Sequence, residues 1–302
     1  MVIGDRLPWR AVVMLQWRWL LAIFTVALGA RFWVYEGGRV PFTPMPFQIA
    51  GVAISIFLAF RNNSSYDRWW EGRKLWGGLV NSSRTFARQV LTFIDGSTAE
   101  AKALQRELVL REVAFLNALR HQLRGEPATT DLAGLVPDVE LAALAQQKNV
   151  AAFLVHTNGV KLAEAVKQGW LSEQRFMWLD STLAELINHQ GGCERIKSTP
   201  VPTAYRFFSH VFTRTFVVVL PLGLVEQLGV FTIGTVMVLG FVFLVLETIG
   251  KLLEDPFSLG PNGLALSTIC RTIEINVRQQ LGDTELPPAA VAEHRGPIDV
   301  LM

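Results

Sequence analysis

From Gln227 to Leu246 the chain runs for 20 residues without a single charge. A helix gains about 1.5 Å per residue, so a run of this length crosses the roughly 30 Å hydrocarbon core of a bilayer. Lipid offers no hydrogen bonds, and a single segment that enters it must close its backbone as a helix. Composition agrees. Half of the 302 residues are hydrophobic, only 18% are charged, and the mean hydropathy is +0.31. Soluble domains carry about 25% charged residues, so disorder is excluded and a partly membrane-embedded protein is indicated.

Three further spans are expected, two of them from charge-free runs. Val40 to Phe60 is uncharged, but Pro41, Pro44 and Pro46 restrict its helix to about Pro46–Phe60 and beyond. That is too short to cross alone. It must continue into the polar stretch beyond Phe60, or its lower end must lie against protein and water. Trp19 to Ala30 lies between Arg18 and Arg31 and is extended by Phe32, Trp33, Val34 and Tyr35, an interfacial aromatic belt. No small-residue cleavage site follows it, which argues against a signal peptide. The last, about Phe207 to Val225, contains His210 and Arg214, and Pro221 and Gly223 lead into a turn at Glu226–Gly229.

Orientation follows the basic residues. Arg6, Arg10 and Arg18 precede the first span, Arg61, Arg68, Arg73 and Lys74 follow the second, and Lys251 follows the last. The opposite side has only Arg31 and Arg39. Both termini and the long middle region are expected in the cytoplasm, on the inner face of a bacterial plasma membrane.

Residues 62–205 read as helices. Leu75, Leu79, Phe86, Val90 and Phe93 share one face, as do Leu104, Leu108, Phe115, Leu119 and Leu123, with charged residues on the other faces. Gly96 and Gly125 are stops, and Pro127 to Pro137 is a loop. Helices are predicted over about 139–168 and 172–191, the second capped by Ser172. Beyond Leu286 a loose tail is expected. The fold class is all-α, with four transmembrane helices and a helical cytosolic region. It divides into residues 1–61, 62–205, 206–250 and a C-terminal part at 251–302.

Chemistry-bearing motifs are scarce. Net charge is +2, from 28 basic and 26 acidic residues, so no basic face for nucleic acid is indicated. Cys193 and Cys270 lack zinc-type spacing. His121, His156, His189, His210 and His294 are scattered, and no HExxH, G-x-S-x-G, P-loop or dinucleotide fingerprint is present. His189 lies one helical turn from Cys193, a spacing open to a thiolate pair or to packing. No catalytic residue, metal or cofactor is expected.

The stretch from Phe60 to Trp76, FRNNSSYDRWWEGRKLW, resembles the bestrophin family in its bacterial branch. Three more blocks agree in order: Cys193 to Tyr205 (CERIKSTPVPTAY), Glu254-Asp255-Pro256-Phe257, and Arg271 to Asn276 (RTIEIN). The resemblance covers roughly residues 5–282. It implies a homopentameric ion channel in a lipid bilayer, with one pore along the symmetry axis and a narrow neck lined by the second span.

Anchored on Asp67, Arg68, Trp69 and Trp70, the resemblance places the neck positions at Val52, Ile56 and Phe60. The i, i+4, i+8 spacing puts them on one helical face. Copies around an axis would stack apolar rings that gate by dewetting; ordinary helix packing would give the same stripe. A second, cytosolic constriction maps near Met177, where a core methionine is equally compatible. Asn62, Asn63, Ser64 and Ser65 are placed either to rehydrate an ion leaving the neck or to cap a break before Trp69-Trp70. Asp67, Arg68, Glu71 and Arg73 form an ion-pair network between subunits or a solvated face.

Family members in animals conduct anions, with aromatic middle and lower rings and a proline where this chain has Ala53. The aliphatic Ile56 and Ala53 depart from that pattern and favour monovalent cations, sodium among them; chloride is the alternative, and a non-conducting scaffold or receptor a third reading. The animal calcium clasp needs several carboxylates. Here Glu254 and Asp255 run into Pro256, Phe257 and Ser258 with no acidic run, so no calcium activation is expected, and the pair should meet a basic neighbour instead. His210 and Arg214 face a protein interior or snorkel to the cytoplasmic interface. Glu226 is interfacial or draws cations to the outer mouth.

Overall fold

The computed structural model describes residues 2–3, 9–260, 262–291, 293–295 and 298–300. A two-residue strand, β1 (Val2–Ile3), precedes helices α1 (Trp9–Tyr35), α2 (Pro44–Phe93), α3 (Ala99–Arg124), α4 (Asp138–Leu144) and α5 (Val150–Lys167). Then come α6 (Glu173–Ser198), α7 (Thr203–Leu228), α8 (Thr232–Leu253), α9 (Leu266–Gln280), β2 (Glu293–Arg295) and β3 (Ile298–Val300).

Three stretches are long and apolar enough to cross a membrane: Val13–Tyr35, Pro44–Phe93 and Thr203–Leu253. The third is an antiparallel pair, α7 and α8, joined where Gly229 adopts φ 50°. Pro221 does not end α7, which continues to Leu228. The pair packs with α1 around a small core of Ile23, Ala27, Val217, Leu220, Val236 and Leu244. Much of the rest of these helices is bare apolar surface, as lipid-facing helices are.

The element that carries the neck positions expected from the sequence is α2. Pro44 sits in its first turn, where a missing N–H costs nothing, and the helix then runs 50 residues without interruption. That is about 75 Å, more than twice the hydrocarbon core. Of the two expected alternatives, continuation into the polar stretch beyond Phe60 is the one found. The stretch Asn62-Asn63-Ser64-Ser65 is helical, and its role as a cap at a break is excluded. These residues are weak helix formers but not breakers, and tertiary contacts hold them.

Helices α2, α5, α6 and α9 surround α3. Every residue from Leu108 to His121 is buried, so the expected charged outer face is absent. Arg111 is buried among Glu107 (2.6 Å), Glu140 (2.6 Å) and Asn158 (3.2 Å), which offsets the cost of desolvating it. Thr98 caps α3, accepting from the Ala101 N–H at 3.1 Å, and Gly125 closes it at φ 72°. Ser172 caps α6 as expected, accepting from Arg175 N–H. The helix anticipated over 139–168 is instead two, α4 and α5, separated at residues 145–149 with Asn149 capping the second.

The tail carries structure that its composition hides. β3 pairs antiparallel with both β1 and β2, joining Val2 to Val300 and Glu293 to Val300. The expectation of a loose tail and a purely helical chain is corrected to that extent. Strands of two or three residues are too short to show an alternating pattern.

Candidate ion-conducting neck and its polar base

One face of α2 is unpartnered within the subunit. Val52 is 62% exposed, Ile56 53% and Phe60 68%. Met45 and Ile49, at 66% and 60%, continue the stripe toward the helix start. The motif anchor could not reach these two, although the same three- and four-residue spacing marks them. Below Phe60 the stripe turns polar through Asn63 and Ser64, both exposed, to the exposed Asp67. Ser64 returns its hydroxyl to the Phe60 carbonyl at 3.0 Å.

The opposite face of α2 is fastened. Higher up, Phe216 of α7 comes close to Gly51. Lower down, Asn62 donates to the Leu246 carbonyl at 3.0 Å, and Gly250 of α8 has no room for a Cβ beside the same Asn62. Ser65 is buried and Asn62 half-buried, so the four polar residues split. Asn62 ties the helix to α8 and Ser65 is buried with its hydroxyl unpartnered, while Asn63 and Ser64 stay on the open stripe.

Arg61 anchors the base. It is 3% exposed, donates to Ser209 Oγ at 2.9 Å, and lies 3.8 Å from Glu247 and 3.7 Å from Glu254. Glu247 is itself buried and receives His210 (3.3 Å) and Arg214 (4.0 Å), while Arg214 stacks 4.6 Å above the Trp19 ring. His210 and Arg214 are thus turned onto a carboxylate of α8, and Arg214 does not snorkel away to water. The signal was present in Glu247, whose isolation in an apolar helix asks for a partner. Glu226 accepts the Val40 N–H at 2.8 Å, tying the α7 end to the loop before α2.

The ordered blocks meet in space. Arg68 donates Nε–H to the Glu254 carbonyl (2.8 Å) and its other nitrogens to the carbonyls of Thr199 (2.6 Å) and Ile196. Trp69 donates to the Asn262 carbonyl at 2.8 Å. Gly72 lies 3.1 Å, measured from where a Cβ would stand, from Pro256, and the fully buried Phe257 packs beside it. Asp255 takes Lys197 at 2.8 Å, and Glu254 takes Arg206 at 3.5 Å, the basic neighbours expected for that pair. Glu71 pairs with Arg195 within the subunit. Trp70 stays exposed at 46%.

Two other expected positions stand apart from this assembly. Met177 is 70% exposed on α6, so a core methionine is excluded, and the neighbouring Trp178 is 61% exposed. Cys193 is buried, and burial pushes its thiol up to about 12, which keeps it protonated and unreactive. His189 packs against Gly78 of α2. That pair is packing.

Comparison with known proteins sorts these features. The model of the bacterial and fungal bestrophin proteins matches residues 10–279. The chain belongs to the bestrophin family. A voltage-dependent anion channel-forming protein of Ralstonia nicotianae is 38% identical over 247 residues, covering 82% of this bestrophin and 80% of the relative. The similarly named YneE of Escherichia coli is 35% identical over 265 residues, covering 88% and 86%. The crystal structure of a bacterial bestrophin homologue from Klebsiella pneumoniae superposes with a TM-score of 0.83 at 32% identity, covering 88% of this bestrophin and 98% of that chain. The bestrophin match includes α2, the α6–α7 junction, α9 and the segment after α8, which carry the four ordered blocks.

Proposed function

We propose that this bestrophin is the subunit of a passive ion channel, a homopentamer in which the α2 stripes of neighbouring copies enclose the water path. Val52, Ile56 and Phe60 form its neck. The observation that carries this is the bare apolar face of α2, from Met45 to Phe60, on a helix whose opposite face is pinned by α7 and α8. In a lone membrane helix such a face would simply meet lipid. Here it passes straight into Asn63, Ser64 and Asp67, which need water. α1, α2, α7 and α8 then make four crossings in the bacterial inner membrane, with both termini and the α3–α6 body in the cytoplasm and Met177 near a second constriction.

The permeant ion is taken as a monovalent anion. The names of the relatives, anion channel-forming proteins, support that sign. This displaces the preference for sodium drawn from Ile56 and Ala53, which removes anion-friendly features without supplying any group that attracts a cation. Those two residues keep the cation reading as the second. A reversal potential measured on purified protein in planar bilayers under a salt gradient separates them. A potential near the chloride equilibrium value supports the anion reading; one near the sodium value restores the cation. Absence of ion flux from liposomes would leave only a scaffold.

A further inference from the structure

We propose that the cavity at the foot of the neck helix binds a phosphate-bearing anion, the headgroup of an acidic phospholipid being its source. The cavity measures about 610 Å³ and lies among α2, the α6–α7 junction and α8. Five permanent cations line it, Arg61, Arg68, Lys197, Arg206 and Lys251, against three carboxylates, Glu247, Glu254 and Asp255. The surplus is not spread evenly. Asp255 is taken up by Lys197 at 2.8 Å, whereas Arg61 reaches Glu247 and Glu254 only at 3.8 and 3.7 Å, beyond hydrogen-bond length.

Arg61 is nine-tenths buried and more, yet its Nε has no hydrogen-bond partner. Arg68 directs its donors to backbone carbonyls, so no carboxylate contacts its charge directly. Lys251 makes no ion pair or side-chain hydrogen bond among the described residues. A tetrahedral oxyanion accepts several charged donors at once, which a chloride or a carboxylate does less fully. The cavity is also larger than one phosphate requires and suits a drug-sized group.

Depth selects the lipid. Three helices change from apolar to basic at this level: α2 from Phe60 to Arg61, α7 from Phe207 to Arg206, and α8 from Ile249 to Lys251. That boundary is where lipid phosphates lie in a bilayer. Phe207 lines the cavity at 59% exposure, and Phe208 and Phe212 stack at 5.4 Å, both exposed, offering an apolar flank for acyl chains.

The test is native mass spectrometry of the full-length wild-type protein in detergent, titrated with phosphatidylglycerol and with diacylglycerol of the same chains. Phosphatidylglycerol should be retained at least about tenfold more tightly, and Lys197→Gln combined with Lys251→Gln should remove roughly that factor. Asp255→Asn, which releases Lys197, should tighten retention, a change that loss of folding cannot imitate. Displacement of the lipid by excess inorganic phosphate would assign recognition to the phosphate group alone; resistance to it would assign recognition to the whole headgroup. Equal retention of the two lipids, or no tightening in Asp255→Asn, overturns the proposal.

Discussion

Arg68 donates its Nε–H to the main-chain carbonyl of Glu254 at 2.8 Å, across 186 residues of sequence. With Thr199 and Ile196 on its other nitrogens, one guanidinium joins the neck helix to the ends of α6 and α8. A lysine has the charge without the planar fork. Arg68→Lys should lower stability by about 1.5–3 kcal/mol, read as a drop of several degrees in the thermal unfolding midpoint in detergent. An unchanged midpoint would show that the fork is dispensable.

Ile56 stands in the middle of the exposed stripe at 53% exposure. In the proposed neck, Ile56→Ala removes bulk from the ring and lowers its apolar barrier to wetting. Single-channel conductance in planar bilayers should rise. Unchanged currents would place the neck elsewhere.

Glu247, buried beside Arg61, His210 and Arg214, is the acceptor of a cationic cluster in a membrane helix. Glu247→Ala leaves those charges uncompensated and should cost about 3–5 kcal/mol. Gln at the same position keeps one acceptor oxygen and should cost less. Chemical or thermal unfolding of the two variants side by side reads the difference; equal losses would mean that the negative charge both variants remove, and not the acceptor oxygen Gln retains, carries the stability there.

Glu112 lies fully buried in the helical body around α3; among the described residues only the Ser83 hydroxyl holds it, at 2.8 Å, and Oε2 is unpartnered. Burial pushes its carboxyl up from 4.5 to about 8. The folded state therefore holds a proton that the unfolded chain releases near pH 4.5. Stability from this group is complete below that pH and is lost as pH rises through about 8. Glu112→Gln should flatten the unfolding profile between those limits and exceed the wild type in alkaline solution. A parallel profile for both proteins would count against the assignment.

Glu254 and Asp255 are occupied by Arg61, Arg206 and Lys197. Calcium needs six or more oxygens with several free carboxylates, so chelator added to the cytoplasmic side should leave bilayer currents unaltered. A fall in open probability on chelation would require a calcium site made elsewhere.

Local signals carried far in this chain. Uncharged runs located the apolar helices because lipid tolerates no unpaired backbone and few charges, and that constraint acts on each segment alone. Ser172 and Gly125 marked helix ends because capping involves only neighbouring residues. The Val52–Ile56–Phe60 stripe was legible for the same reason, since spacing on one helix decides a face. Tertiary structure alone decided that α2 passes through Asn62–Ser65 unbroken, because the bonds compensating those weak helix formers come from Leu246 and its surroundings, far along the chain. It likewise decided that Arg61, His210 and Arg214 share Glu247 and that the tail pairs with Val2: a partner on another element leaves no mark on local periodicity.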